Sequence, residues 1–465
     1  MWRRTWPVIL AMVALAVSSL ACGLGSPEPE ATDTPTLSTD TPVPTDAPTP
    51  LPTDTPVPSV APTPLPTDTP EPPDTPAPAP DPEAVAFDVA LDGHQTFQLP
   101  ARSLAIYNLV GNVEVVPWTG DGIEVDIFPG GKDADSLRVE AGEIDGLQTL
   151  RVIFPIGVIA LEEPVLPRFL GSLEVHHDGR LGNRVRPGGR RVVIVSGSWP
   201  EALVKSVVPS GPRLEAYAQM TIRVPEGVEL DLNLGLGTTD VSQTEGTLIL
   251  YAYSGSVTVR DTRGDTEVET AGGDLLLEGI AGRVRAKTGG GSVTVRLLQD
   301  ETDIESGGGD LVLEDIGGRV HAKTGAGSVT VRVTRGDTDV ETGGGDLLLE
   351  GIAGSLRATT GSGDVTARDV QGEAEVGTGS GDLILESVTG RVIARTGNGS
   401  IRLELAEGFA GRLEISTGRG AIDVDVPDGQ VVSSNEHEKT VVIGHGGETS
   451  TLRTEHGTIS VRRGD

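Results

Sequence analysis

A glycine followed by Ser, Thr or Asp recurs at every eighteenth position through the second half of the chain. The marks are Thr238, Ser256, Asp274, Ser292, Asp310, Ser328, Asp346, Asp364, Asp382 and Ser400, and Gly precedes all ten. Three positions after each mark stands an apolar residue, from Val241, Val259 and Leu277 to Leu385 and Leu403. A second glycine falls eight positions after the mark in nine of the ten, Asp300 being the exception. Beyond it comes another alternating run, such as Val284-Arg285-Ala286-Lys287-Thr288. Each unit therefore reads as two short period-2 strands joined by two glycine turns. One unit cannot bury its apolar face alone, but units stacked about 4.8 Å apart share a continuous core. The expected fold class is all-β: a single-stranded parallel β-solenoid (β-helix) with 18-residue rungs, capped by an irregular N-terminal β region.

The outward positions support the same register. Four residues after the mark the charges alternate strictly: Arg260, Glu278, Arg296, Glu314, Arg332, Glu350, Arg368, Glu386. The other strand repeats this in Glu269, Lys287, Glu305, Lys323, Glu341 and in Glu267, Arg285, Asp303, His321, Asp339, Arg357, Glu375. Opposite charges on neighbouring rungs stabilise modestly and like charges repel, so these rows read as register control. A hydroxyl row (Thr270, Thr288, Ser306, Thr324, Thr342, Thr360, Thr378, Thr396) is expected to hydrogen-bond from rung to rung along a turn. The run from Arg263 to Thr270 returns four rungs further on as Arg335 to Thr342, which suggests duplication in blocks of two or four rungs. After Ser400 the spacing loosens, yet Gly420–Val424 and Gly457–Val461 still look like rungs.

Ahead of the repeats the chain carries an address and a spacer. Arg3 and Arg4 precede a short apolar stretch, Val8 to Val17, as in a secretory signal. It ends at Ser19-Leu20-Ala21-Cys22, which resembles the lipobox cut before a lipid-modified cysteine, and Cys22 is the only cysteine. Residues 1–21 are read as a signal peptide and Cys22 as the lipid attachment site. Residues 22–84 follow as a stalk rich in Thr, Pro and Asp, with nothing apolar enough for a core. Its prolines favour polyproline II, and the roughly 58 residues from Ser26 to about Glu83, at about 3.1 Å each, reach ~180 Å. With 68 acidic side chains against 36 basic ones, the net charge is −32. So acidic a surface repels phosphate backbones, and no nucleic-acid partner is expected. A single cysteine also excludes disulfides within the chain and Cys-based zinc sites.

Residues 85–236 are less regular and are read as an N-terminal β region and cap, with 237–465 as the solenoid repeats. Within the cap, residues 162–214 form an insertion with a basic cluster at Arg180, Arg184, Arg186, Arg190 and Arg191. The run Asn108 to Val115, the step Val224-Pro225-Glu226-Gly227 and the tandem units Thr360 to Val365 and Thr378 to Leu383 resemble the bacterial "putative adhesin" β-solenoid family, a toast-rack-like domain of unknown function. The resemblance covers roughly residues 86–465. It implies surface exposure and binding, and offers no motif of functional residues to carry over.

Two candidate sites stand out. Asp346, Asp364 and Asp382 mark consecutive rungs, and three stacked carboxylates would repel unless a cation such as Ca²⁺ sat among them. The alternative is that each accepts backbone N–H bonds at its glycine turn. No cofactor is otherwise expected. Leu276, Val312, Leu348 and Ile384 fall on the outward face and alternate with threonines, a possible stripe for a partner, another copy or the insertion. A polysaccharide-cleaving β-helix enzyme would need clustered carboxylates in a groove and, for sugar, aromatic platforms. Here the charges face neighbours of opposite sign, and after residue 240 only Tyr251, Tyr253 and Phe409 are aromatic. The reading is therefore a non-enzymatic, extracytoplasmic lipoprotein held to the membrane through its lipid, displaying the solenoid for adhesion or scaffolding. Its ligand would be an unknown surface protein or glycan. The alternatives are an envelope sensor or organiser that binds a protein partner, and the enzyme.

Overall fold

A column of glycines with no room for a side chain sets the spacing of the rungs. A Cβ on Gly255 would lie 1.7 Å from the carbonyl oxygen of Gly237, and one on Gly291 2.0 Å from that of Gly273. The glycine turns of successive rungs sit directly on one another, so any other residue would open the stack. The computed structural model describes residues 85–464 except 101, 145, 156, 162–171, 176–180, 185–190 and 196–212. The signal, Cys22 and the stalk lie outside the described residues.

Each rung gives one strand to each of two parallel sheets. In sheet one, Thr266–Thr270, Val284–Thr288, Thr302–Ser306 and Val320–Thr324 pair each with the strand of the next rung, as in Val268↔Ala286↔Ile304. In sheet two, Leu275–Glu278, Val293–Leu298, Leu311–Ile316 and Val329–Thr334 do the same. The protein is thus an all-β solenoid, and the 18-residue register read from the sequence is the observed one. The only helical turn among the described residues is the 3-10 segment Ala134–Ser136. Between the sheets the inward residues are fully buried and vary in size by turns: Val268, Ala286, Ile304, Ala322, Val340 and Ala358 along sheet one. Sheet two alternates Val257, Leu275, Val293, Leu311, Val329 and Leu347. Large and small residues in adjacent rungs interlock, which keeps the core dense over a two-rung period.

The hydroxyl row works differently from the sequence expectation. Thr324 Oγ1 donates to the Gly309 carbonyl of the preceding rung (2.8 Å) and accepts from the Gly327 N–H (3.3 Å). Thr288, Thr342, Thr360, Thr378 and Thr396 repeat the pattern. The hydroxyls stitch rungs through glycine backbone, not through one another, because the tight turns leave those backbone groups unpaired within reach.

A second column was not anticipated. Gln243, Asp261, Gly279, Leu297, Asp315, Val333, Gly351, Asp369 and Ser387 all have φ between 52° and 69°. One left-handed residue per rung lets two consecutive residues, such as Arg296 and Leu297, face solvent before Leu298 turns back into the core. For Leu297 and the β-branched Val333 this conformation is strained.

Both ends leave the regular pattern. At the N-terminal end, sheet one runs Phe87–Ala90, Arg138–Ile144, Leu147–Ile153, Ser103–Val110, Glu229–Leu236, with the first two contacts antiparallel. Sheet two runs Gln95–Leu99, Ile123–Gly130, Tyr217–Val224, Val113–Pro117, Thr239–Ser242, again opening on antiparallel pairs. The run at Asn108–Val115 is therefore a rung, with the rung of residues 229–242 stacked on it. At the C-terminal end, Thr449–His456 lies between Val392–Thr396 and Gly411–Arg419, and Ile459–Arg463 between Ile401–Leu405 and Ile422–Asp425. The last segment of the chain fills a gap that the preceding one left, and Gly399, Gly457 and Gly420 stack in that order. The strands Gly157–Leu161, Ser172–Val175, Leu181–Arg184, Arg191–Val195 and Arg213–Leu214 form a separate five-stranded sheet. The side chains of the basic cluster lie outside the described residues.

Candidate functional site

The outer face of sheet one carries a banded array of charged side chains. Two of its columns were read from the sequence, through Glu267 and through Glu269. A third, missed there, runs Asp265, Arg283, Glu301, Arg319, Asp337, Ser355, Glu373, Arg391 just before the strands. The same 18-residue count, started at Arg283, would have found it. Over the five rungs from Asp265 to Glu341 the three columns change sign in step, so those whole rungs are acidic or basic, and beyond them Ser355, Thr359, Gly377 and Ile393 carry no charge. Asp265, Glu267 and Glu269 form an acidic band, Arg283, Arg285 and Lys287 a basic one, then Glu301, Asp303 and Glu305 an acidic one. Arg319, His321 and Lys323 are followed by Asp337, Asp339 and Glu341. The alternation continues through Arg357, through Glu373 and Glu375, to Arg391 and Arg395.

Within the face each base leans toward the acid of the next rung: Arg283–Glu301 3.4 Å, Arg285–Asp303 3.4 Å, Lys287–Glu305 2.6 Å, Lys323–Glu341 2.7 Å. The arginines stay about two thirds exposed, 65% for Arg283 and 66% for Arg319, so water screens these pairs. Arg391 departs from the rule and pairs back to Glu373. A shallow groove of about 590 Å³ runs between the column of Arg283 and that of Arg285, from Arg283 to Glu375. It is lined by charges of both signs and by no Phe, Tyr or Trp. Asp303 Oδ1 is a buried acceptor without a hydrogen-bond partner there. On the first acidic band, burial pushes the Glu269 carboxyl up, against the pull of Lys287.

The outer face of sheet two holds the other predicted residues. Leu276, Val312, Leu348 and Ile384 lie in one column with Thr258, Thr294, Thr330 and Thr366. Each of the four is half-buried, covered partly by its neighbours. Beside them Arg332 bridges Glu314 (3.3 Å) and Glu350 (3.2 Å), and Arg368 bridges Glu350 (3.2 Å) and Glu386 (2.7 Å). The carboxylates of the Asp column are engaged by backbone. Asp346 accepts from Asp364 N–H (2.9 Å), Asp364 from Asp382 N–H (2.8 Å) and Asp382 from Ser400 N–H (2.7 Å). Each bond reaches the next rung, where the expectation had placed it within one turn. Among the described residues no group of three or more His, Cys, Asp or Glu side chains is placed to hold a metal ion.

One buried carboxylate belongs to the cap. Asp126, 8% exposed at its side chain, accepts from Thr96 Oγ1 and lies 3.2 Å from His94 Nε2, and Arg223 pairs with both Asp126 and Glu124. Burial alone would raise its pKa, but the hydrogen bonds from Thr96, Arg223 and His94 and the charge of Arg223 outweigh it and hold the carboxyl below its usual range. His94 stacks on Phe128 at 4.2 Å, and its hydrogen bonding runs to Asp126. The cluster ties three cap strands together.

Compared with known proteins, the chain matches the Toastrack DUF4097 family model over residues 300–462. Those residues include both regular rungs and the rung inserted at the C-terminal end. No curated protein matches it. A solved structure from Clostridium sporogenes, described as a "putative cell adhesion protein", aligns over 80% of this chain and 99% of its own at 8% identity. Its TM-score is 0.14, too low to carry an argument about fold or role.

Proposed function

Starting from a chain whose residues 300–462 match a toast-rack domain of unknown function, we propose a cell-surface lipoprotein that displays a non-catalytic β-solenoid for adhesion or scaffolding. The observation that carries this reading is the outer face of sheet one, where three columns of charged side chains run in one phase over five rungs and one or two of them carry the alternation over three more. Such a face suits recognition of an extended partner, because its features repeat at fixed spacing on a rigid support. The lipobox-like Ser19-Leu20-Ala21-Cys22 and the long acidic stalk supply the means of holding that support away from a membrane.

Two measurements test it. Fractionation of cells expressing the chain should find it with membranes, and Cys22→Ser should release it to the soluble fraction. Binding of the purified protein to whole cells and a glycan array, with and without Ca²⁺, should be saturable. Calcium dependence would bring Asp346, Asp364 and Asp382 back as ligands. Blank results on cells, glycans and cross-linked native partners together would sink the display reading.

A further inference from the structure

The banding on sheet one has a symmetry that a random charge pattern lacks. Numbered from the rung of Asp265 to that of Arg391, the eight bands read acidic, basic, acidic, basic, acidic, basic, acidic, basic. A two-fold axis along the strand direction, placed between the fourth and fifth bands, sets band one against eight, two against seven, three against six and four against five. Each column then meets itself and every band of net acidic charge meets one of net basic charge, although Glu267, Lys287, Glu301 and Glu305 meet the uncharged Ile393, Gly377, Ser355 and Thr359. A two-fold along the solenoid axis would instead put every band on its own kind. Alternation in steps of one rung thus makes the face self-complementary in a single closed orientation.

We infer that this face docks on the same face of a second copy, the two solenoids antiparallel and the axis passing between the rungs of Arg319 and Asp337. The inference rests on the reading of this face as a binding surface and names its partner. Arg319 faces Asp337 of the partner subunit, Arg285 faces Glu375 of the partner subunit, and Asp303 faces Arg357 of the partner subunit. The side chains are exposed or half-buried and already alternate at the rung spacing, so a second copy extends the checkerboard into the third dimension. The bands end in the neutral pair Ile249 and Tyr251 on one side; on the other, Arg395 is followed by Arg453 in the next rung, and the alternation stops there. Eight rungs at about 4.8 Å and five residues at about 3.3 Å give about 600 Å² per copy, the low end of specific interfaces. The association is therefore weak in free solution, and salt-sensitive because charge drives it.

The test uses the full chain with Cys22→Ser, so that no lipid drives association. Sedimentation at low salt should show a monomer–dimer equilibrium that weakens at least about tenfold on going to about 0.5 M NaCl. The variant Arg319→Glu with Lys323→Glu, and the variant Asp337→Lys with Glu341→Lys, should each be monomeric. Mixed in equal amounts they should form a heterodimer, since the acidic pair of bands on one meets the basic pair on the other. Far-ultraviolet circular dichroism checks that each variant is folded. A second probe needs no charge reversal. A chain carrying Glu301→Cys and Ser355→Cys has its thiols three rungs apart, too far for a bridge within one copy, yet opposed across the dimer. Oxidation should give a covalent dimer. Wild-type protein that stays monomeric at low salt and in the cysteine trap, or charge variants that self-associate like wild type, would overturn the pairing. Either result alongside intact cell binding overturns the pairing alone and leaves the display reading standing.

Discussion

The regular rungs from about residue 248 to 405 and the two ends of the solenoid solve the same problem by opposite means. In the middle, every rung is a near copy of its neighbours: glycine stacks on glycine, Thr bonds to the glycine carbonyl below, and charge meets opposite charge at the surface. No single contact there is unusual, and stability comes from repetition. At the ends there is no next rung, and exposed strand edges would invite further pairing. The N-terminal end answers with antiparallel strands and a buried carboxylate held by Thr96, His94 and Arg223. The C-terminal end answers by threading its last segment between two earlier ones and folding the hairpin Gly429–Ser434 and Glu438–Ile443 over the edge of sheet one. The middle is held by many equivalent weak ties and the ends by a few particular ones.

The sharpest way to break the comparison is through the glycine column. Gly309→Ala would place a Cβ 2.0 Å from the Gly291 carbonyl oxygen, whereas a Cβ on neighbouring Gly308 meets nothing within 4 Å. We expect Gly309→Ala to cost about 3 kcal/mol or more, and Gly308→Ala under about 0.5 kcal/mol, in denaturant unfolding. Equal costs would mean that the column does not set the rung spacing.

Leu452→Ala and Leu349→Ala both empty fully buried positions, at the threaded end and in the middle respectively. Each should cost about 3 kcal/mol. Hydrogen exchange should differ in reach. Leu452→Ala should loosen the strands on both sides of the inserted segment, around residues 392–396 and 411–419, both far from residue 452 in sequence. Loss of protection confined to residues 449–456 would break the reading of that segment as a wedge.

Acid should separate the ends from the middle. The Asp126 carboxyl titrates below its usual range in the folded protein, so its charge stabilises the fold above about pH 4. That stabilisation is lost as the pH falls through the depressed folded value. Exchange in Gln95–Leu99 and Ile123–Gly130 should therefore accelerate at lower pH before the rungs around Val329–Thr334 respond, and Asp126→Asn should flatten the cap's pH dependence. A uniform response along the chain would show that the cap draws nothing special from Asp126.

The smallest effect is expected where the ion pairs look best. Arg332 lies between two glutamates, yet its side chain is 48% exposed. Arg332→Ala should change stability by no more than about 0.5 kcal/mol. A loss above about 2 kcal/mol would show that the charge ladders hold the middle together, where we assign them to register and to the docking of sheet one.

Much of this was legible in the residue order alone. The 18-residue count, the alternation within each strand and the sign changes from rung to rung dictated two parallel sheets, their register and which side chains face out. Each of these is a short-range regularity: a parallel stack of like rungs has only one neighbour to offer, so the sequence separation of partners equals the period. Even the missed column through Arg283 follows from the same count. The left-handed column was half visible in Asp261, Gly279, Asp315, Gly351 and Asp369, but Leu297 and Val333 occupy the same position, and no local preference would place them at positive φ. What only the tertiary structure decided is the order of the outermost rungs. Gly399, Gly420 and Gly457 carry the same turn signal, and nothing nearby in sequence says that the third slides between the first two. Rungs with equivalent edges can stack in more than one order, and the choice falls to long-range packing: which segment best covers the exposed edge and leaves no strand unpaired.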